Sequence, residues 1–281
     1  MFKNAQSKIF IPDLSPEDEG IERTTHLAIA AHQDDIEIMA INGILHCFDN
    51  PCEFFSGVVM TDGRSSPRSG IYTKLSDDEI MKIREHEQNK AAVVGNYSSV
   101  ISLGYSSKQV KDKTNQEPTD DLLTILELAK PRIVYTHNLA DKHPTHVAVV
   151  IRLIEAIRQF DNNLRPKKLY GCEVWRDLDW MPDSQKIAFD CSTQINLQES
   201  LIGVYDSQIS GGKRYDLATM GRRLANATYF DSHGIDMTTH LSYAMDLTPL
   251  IQNDSLDIIE FINEKIYQFQ KEVIDLLELY L

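Results

Sequence analysis

The chain has 281 residues, 42% of them hydrophobic and 25% charged, with a formal net charge of −14. That balance suits a globular fold with a substantial core and argues against a nucleic-acid partner, which needs clustered lysine and arginine to displace phosphate counterions. No apolar run approaches the roughly 20 residues of a membrane span, the start "MFKNAQSKIF" lacks a signal-peptide core, and the four cysteines form no CxxC pair; the expectation is a cytoplasmic protein with reduced thiols.

In chain order, "HLAIAA" (26 to 31) reads as a buried strand, followed by a helical pattern over 35 to 47. "EFFSGVVM" (53 to 60) is a second strand and 77 to 95 a second helix. "SSVISL" (98 to 103), a helix over 119 to 130, "RIVYTH" (132 to 137) and a helix over 144 to 160 continue the alternation. Strands alternating with helices predict an α/β fold with a doubly wound, mostly parallel sheet flanked by helices. Beyond 161 the pattern is less regular: "KKLYGCEVW" is a further strand, and "NLQESLIGVYDSQI" and "YDLATMGRRLANATYF" are helices. The last stretch places Ile258, Ile262, Tyr267, Phe269, Ile274 and Leu277 at mixed three and four spacing, an amphipathic helix that packs on its own domain or forms a homo-oligomer interface. With no repeat and no low-complexity tract, residues 1 to 281 read as one domain, the part from about 161 packed on the rest.

Ligands of an open parallel sheet bind beyond the carboxyl ends of the strands, where strand order reverses. Two polar clusters fall there: His32, Asp34 and Asp35 after the first strand, and His137, Asp141, His143 and His146 in "THNLADKHPTH". Taken singly, each has a structural reading. Asp34 with Glu37 three places on is a helix cap with a reciprocal glutamate, and two histidines one turn apart are ordinary surface or core residues. Taken together, they suit one metal. Catalytic zinc takes three ligands from His, Asp or Glu and keeps one position open for water, and His32, Asp35 and His146 make such a set. Asp34, beside a ligand but pointing elsewhere, is placed to accept a proton from that water; His143 is placed to steady an oxyanion or protonate a leaving amine. A dication also offsets the repulsion of two adjacent buried carboxylates.

These residues carry a resemblance. "AHQDDIEI" resembles the AHPDD-x-E motif, and "DKHPTH" the HPDH motif, of the LmbE-like or PIG-L family of zinc-dependent N-deacetylases. "TDGR" (61 to 64), "IREHEQNKAAVVGN" (83 to 96) and "YDSQ" (205 to 208) extend it over roughly residues 25 to 210. The resemblance implies a Rossmann-like fold, Zn2+ or another divalent ion on His32, Asp35 and His146, Asp34 as general base and His143 at the tetrahedral intermediate. It also implies Arg84 against a sugar hydroxyl. The implied substrate is a small N-acylated, in the first place N-acetylated, amino sugar or a glycoside carrying one. Gln33 stands where the family has proline, Thr145 where HPDH has aspartate, and Ile41 and Asn42 with Gly43 following where paired glycines are usual. Those departures keep open a carbohydrate-binding protein with weakened turnover; an amidase for larger conjugates, which differs only in its acyl pocket, is a second alternative. Asp62, Arg64, Arg68, Trp175 and Trp180 are secondary candidates for the pocket, and His233 and His240 have no constraining spacing.

Overall fold

The computed structural model describes residues 2–281. Eight strands form one sheet among the described residues: β1 (Lys8–Phe10), β2 (His26–Ala30), β3 (Phe55–Thr61), β4 (Ser99–Tyr105), β5 (Ile133–His137), β6 (Lys168–Cys172), β7 (Lys186–Asp190) and β8 (Leu241–Asp246), in the order β1-β4-β3-β2-β5-β6-β8-β7. The central five, β4-β3-β2-β5-β6, run parallel. β1 pairs antiparallel with β4 at one edge; β8 is antiparallel to β6, and β7 to β8, at the other.

The helices are α1 (Glu17–Glu22), α2 (Asp35–Met39), α3 (Ile41–Cys47), α4 (Asp77–Val94), α5 (Ser107–Lys111), α6 (Glu117–Ala129), α7 (Pro144–Arg158), α8 (Ile195–Gly203), α9 (Asp206–Ile209), α10 (Tyr215–Thr228), α11 (Thr248–Gln252) and α12 (Ile258–Glu278). Both faces of the sheet are covered, so β2 has no polar alternation and is buried throughout. Leu27 and Ile29 join a core with α6, α7 and α11, whereas Ala28 and Ala30 join one with α2, α3, α4 and α8. On the second face α3 lies close to the sheet: a Cβ at Gly43 would stand 2.6 Å from a ring carbon of Tyr135. One glycine meets the close approach for which the family uses two.

The structure breaks one expected helix, adds three strands and details the packing of the last helix. The helix expected over 35 to 47 is broken at Ala40, because Arg223 Nη2 donates to the carbonyls of Glu37 (2.8 Å) and Ile38 (3.1 Å), which a continuous helix would use internally. The strands β1, β7 and β8 went unread; β1 and β7 are short edge strands with mixed exposure, which carry little apolar signal. α12 packs on the body through its first turns only, with Phe261 buried, Ile258 and Ile262 against the core, and the remainder largely exposed. No helix of the described residues is long and apolar enough to cross a membrane.

Candidate metal centre

Strand order reverses between β2 and β5, so the loops leaving these two strands meet in a crevice at their carboxyl ends. His32, Asp34 and Asp35 leave β2, and α7 returns after β5 with His143 as its N-cap and Pro144 opening the first turn. Proline in the first turn fixes φ and needs no amide partner, so the helix starts there and His146 projects from its first turn toward the strand ends.

Three donor atoms converge. His32 Nδ1 is 3.2 Å from Asp35 Oδ2 and 3.2 Å from His146 Nε2, and His146 Nε2 is 3.4 Å from Asp35 Oδ2. A tetrahedral shell with bonds of about 2.0–2.1 Å spaces neighbouring ligands about 3.3 Å apart. The donor set therefore fits a divalent ion with one open position. Its carboxylate is held in place as well, since Asp35 Oδ2 also accepts the His32 backbone N–H at 2.8 Å. Burial alone would push the Asp35 carboxyl up; His146, His32 and His137 around it overcome that and hold it far below the usual range. Burial holds His32 below its ordinary value despite Asp35, so its ring nitrogen is free to coordinate.

Two further groups support the set. Asp141 Oδ1 accepts the His143 N–H at 2.8 Å, Oδ2 accepts the Trp175 N–H at 3.1 Å, and Oδ2 lies 3.4 Å from His146 Nδ1. An outer carboxylate so placed would orient His146 and turn its other nitrogen, Nε2, toward an ion held among the three donors. His137 belongs to the cluster in space, 3.6 Å from Asp35 Oδ2 and stacked on His146 at 3.8 Å between ring centroids. Its Nε2, however, accepts the Ala31 N–H at 2.8 Å, so the lone pair it would need for a metal is already engaged. His143 is the alternative third donor, its ligating atom lying with those of His32 and His146 within 4.8 Å.

Asp34 is buried beside this shell with φ 88° and ψ −32°, a backbone conformation uncommon outside glycine, asparagine and aspartate. It makes no capping hydrogen bond; its Oδ2 accepts from Arg84 Nη2 at 3.3 Å. Burial pushes its pKa well above the ordinary value, Arg84 offsets part of this, and Asp35, Glu37 and Glu87 add to it. Glu37 takes no part in a capping box. It turns into the core and accepts from Tyr205 Oη (2.6 Å), Tyr97 Oη (2.8 Å) and Gln88 Nε2 (3.0 Å). Ser207, by its N–H and its hydroxyl, is in turn held by Glu87, so "YDSQ" docks α9 on the helix that carries Arg84.

Arg84 lines the crevice; its Nη1 and Nη2 donate within the protein, and its Nε is buried without a partner. Nη2 donates to the Gln33 carbonyl (2.7 Å) and to Asp34; Nη1 donates to the Gly63 carbonyl (3.5 Å) and the Ser66 hydroxyl. It ties the loop after β2 to the loop after β3. Gly63, at φ 70°, has no room for a Cβ, which would stand 2.3 Å from Gln33 Oε1. The crevice encloses about 420 Å³; besides these residues Asp62, Ser107, Lys111, Thr145, Trp175, Lys213 and Tyr215 border it. Asp62 is bound by Arg64 Nε at 2.6 Å, Arg64 also reaches Asp78, and Arg68 pairs with Asp77, so both arginines are engaged by their own loop and helix start. Trp175 forms a wall, with Lys213 Nζ 4.9 Å over its ring and His143 stacked at 6.2 Å. Trp180 packs on Phe269 instead, and neither His233 nor His240 borders the crevice. Lys111, Lys213 and Tyr215 come from parts of the chain where no motif marks them.

A second His and carboxylate cluster lies at the other end of β2, formed by His26, His46 and Glu53. Its rings are stacked at 4.8 Å, and Glu53 is paired with Arg132 at 2.6 Å.

The model of the PIG-L family, described as GlcNAc-PI de-N-acetylase, matches residues 27–157, which hold β2, β5 and every proposed metal ligand. Residues 27–157 thus match the PIG-L family model, and the solved structures below share the fold. Among solved structures it is similar to N,N'-diacetylchitobiose deacetylase from Pyrococcus horikoshii (TM-score 0.63, 17% identity, 86% of this chain and 90% of that one). It is also similar to a conserved protein from Thermus thermophilus (0.60, 19%, 78% and 93%). A third similar structure is the 4-carboxy-2-hydroxymuconate hydratase from Pseudomonas putida (0.57, 15%, 80% and 96%). No curated protein matches the chain by sequence.

Proposed function

We propose that the chain is a metal-dependent N-deacetylase that cleaves the N-acetyl amide of an amino sugar, or of a glycoside carrying one, with zinc on His32, Asp35 and His146. The observation that carries this is the donor triangle of 3.2, 3.2 and 3.4 Å with a buried carboxylate, Asp34, beside it but outside it. Two nitrogens and one oxygen suit zinc among several divalent ions. When bound, such an ion supplies Lewis acidity, polarising the amide carbonyl and making water easier to deprotonate.

Asp34 accepts the proton of the attacking water; its pKa, raised by burial, brings it closer to the range in which a base is effective. As water oxygen bonds to the carbonyl carbon, negative charge develops on the carbonyl oxygen. His143, pushed down to about 4 by burial and by His146 and His32, is neutral at pH 7 and serves there as a hydrogen-bond donor. The C–N bond then breaks, and Asp34 delivers its proton to the leaving amine, giving a free amine and acetate. Arg84 acts through Asp34, holding the carboxylate in place and keeping the two loops together. Its Nη1 and Nη2 already serve these partners, so substrate contact through them would be shared. We take residues 1 to 281 as one unit, because β6, β7 and β8 complete the sheet that holds the site, and four unpaired thiols agree with a reducing cytoplasm.

The test is metal analysis of the purified protein followed by a free-amine assay over N-acetylated mono- and disaccharides. About one ion per chain and amine release that stops on chelation support the reading. Stoichiometric metal without amine release from any acetylated sugar would remove the activity and keep the metal centre.

A further inference from the structure

The metal crevice has a neighbour. A cavity of about 270 Å³ adjoins it, and Trp175 and Tyr215, set edge to face at 6.4 Å between ring centroids, border both. Ile38 and Val174 give this annex apolar surface, and Lys142 and Arg222 give it charge; no carboxylate is among the residues that line it. The chain as a whole has 42 aspartates and glutamates against 28 lysines and arginines, so the lining is opposite in sign to the protein that carries it. Arg222 Nη1 donates to the Val174 carbonyl, which fixes the guanidinium at the wall and leaves its Nε–Nη2 edge without an acceptor among the described residues. The buried Glu173 does not take that edge, because it accepts from the Leu178 and Tyr243 amides and from Asn226 Nδ2.

We propose that the annex holds the aglycone of the acetylated substrate, and that this aglycone is a flat apolar group bearing a carboxylate. The proposal rests on the deacetylase reading above and adds to it the chemical class of the group joined to the sugar. Three features select that occupant. Trp175 and Tyr215 offer ring faces and edges at the boundary with the crevice, where a flat group attached to the bound sugar would stack. The open Nε–Nη2 edge of Arg222 presents two parallel N–H donors, the fork that a carboxylate accepts with both oxygens. Lys142 adds a second positive charge beside it with no carboxylate in the lining to cancel either, so a cationic aglycone is repelled and a neutral one leaves both charges unused.

Calorimetric titration of the full chain, treated with chelator so that no turnover occurs, tests this with three N-acetylglucosaminides that differ only in the aglycone: methyl, phenyl and 4-carboxyphenyl. The 4-carboxyphenyl glycoside should bind about tenfold or more tighter than the phenyl one, and the phenyl glycoside tighter than the methyl one. The double variant Lys142→Met, Arg222→Met should bind the two aryl glycosides alike, and Lys142→Met alone, at an exposed position, should lose part of the preference. Equal affinity of the wild type for the two aryl glycosides overturns the proposal, as does a preference that neither variant reduces. Amine release from the methyl glycoside by the untreated protein tests the deacetylase reading separately. Its absence would remove that activity, while the aryl preference still stands or falls on the titration.

Discussion

β2 has a histidine at its start, His26, and another two residues past its end, His32, and each stands in a cluster with a second histidine and a carboxylate. The residue types are the same; the geometry is opposite. At the carboxyl end the donors of His32, Asp35 and His146 face one another 3.2 to 3.4 Å apart across a crevice, and Asp141 orients one ring from behind. At the amino end His26 Nδ1 is engaged by Tyr135 Oη at 3.1 Å, and its Nε2 lies 3.7 Å from Glu53. The His26 and His46 rings are stacked with planes only 26° apart, face to face rather than edge-on to a common point. Arg132 already neutralises Glu53. The candidate metal centre differs from the amino-end cluster in three donors that face one crevice and in a carboxylate that no arginine neutralises.

The largest expected effect breaks the first cluster outright. His146→Ala removes one of three ligands, so metal content by mass spectrometry should fall sharply and amine release with it; full retention of metal would assign the site to other donors. Next, Asp34→Asn keeps shape and all three ligands but cannot accept a proton, so turnover should drop roughly 10²-fold or more with metal unchanged. If that variant lost its metal instead, Asp34 would be a ligand rather than a base.

The contrast also has a pH signature. Burial, aided by His46 and opposed by Glu53, lowers His26 from 6.5 to about 4. The folded state thus favours neutral His26: the associated stability is complete above pH 6.5 and is lost as pH falls toward about 4. Fully expressed, that preference is worth on the order of 3 kcal/mol. Urea unfolding at pH 7.5 and 4.5 should show a smaller acid-side loss for His26→Gln than for wild type; equal losses would remove His26 as the cause.

A smaller effect sharpens the comparison at its outer carboxylate. Asp141→Asn leaves the ligands intact and weakens their orientation, for an expected 10- to 100-fold loss of metal affinity by chelator competition. An unchanged affinity would mean that the 3.4 Å approach to His146 does not tune it. The smallest effect is at the other end: His46→Ala should leave metal stoichiometry at the wild-type value, and loss of one ion per chain would show that the amino-end cluster binds metal after all.

The parallel centre of the fold was legible because β2 to β6 are local apolar runs separated by helical periodicity, and both halves of the metal site lie directly at strand ends. Sequence order alone brought His32, Asp35 and His146 to one place, since a switch point between β2 and β5 requires it. The rest depends on distant partners. Nothing near Ala40 reveals that Arg223, over 180 residues on, takes the carbonyls of α2. His137 looked like its neighbours until its Nε2 was found on the Ala31 amide. Nothing near Arg84 in the sequence reveals that Gln33, Asp34, Gly63 and Ser66 accept from its Nη1 and Nη2.

The backbone at Asp34 narrows what this position can become. At φ 88° and ψ −32° it sits where a type II turn places its third residue, a conformation suited to glycine and asparagine and tolerated by aspartate. Longer or β-branched side chains would pay for the conformation before any chemistry is considered, at roughly 1–3 kcal/mol. Of the three residues the turn accepts readily, one carries a carboxylate. Of the side chains able to take a proton, most do not suit the turn. Drift away from aspartate therefore leads first to asparagine or glycine, both of which keep the loop and carry no carboxylate; under the proposed mechanism a folded, metal-loaded but inactive protein lies a single codon change away.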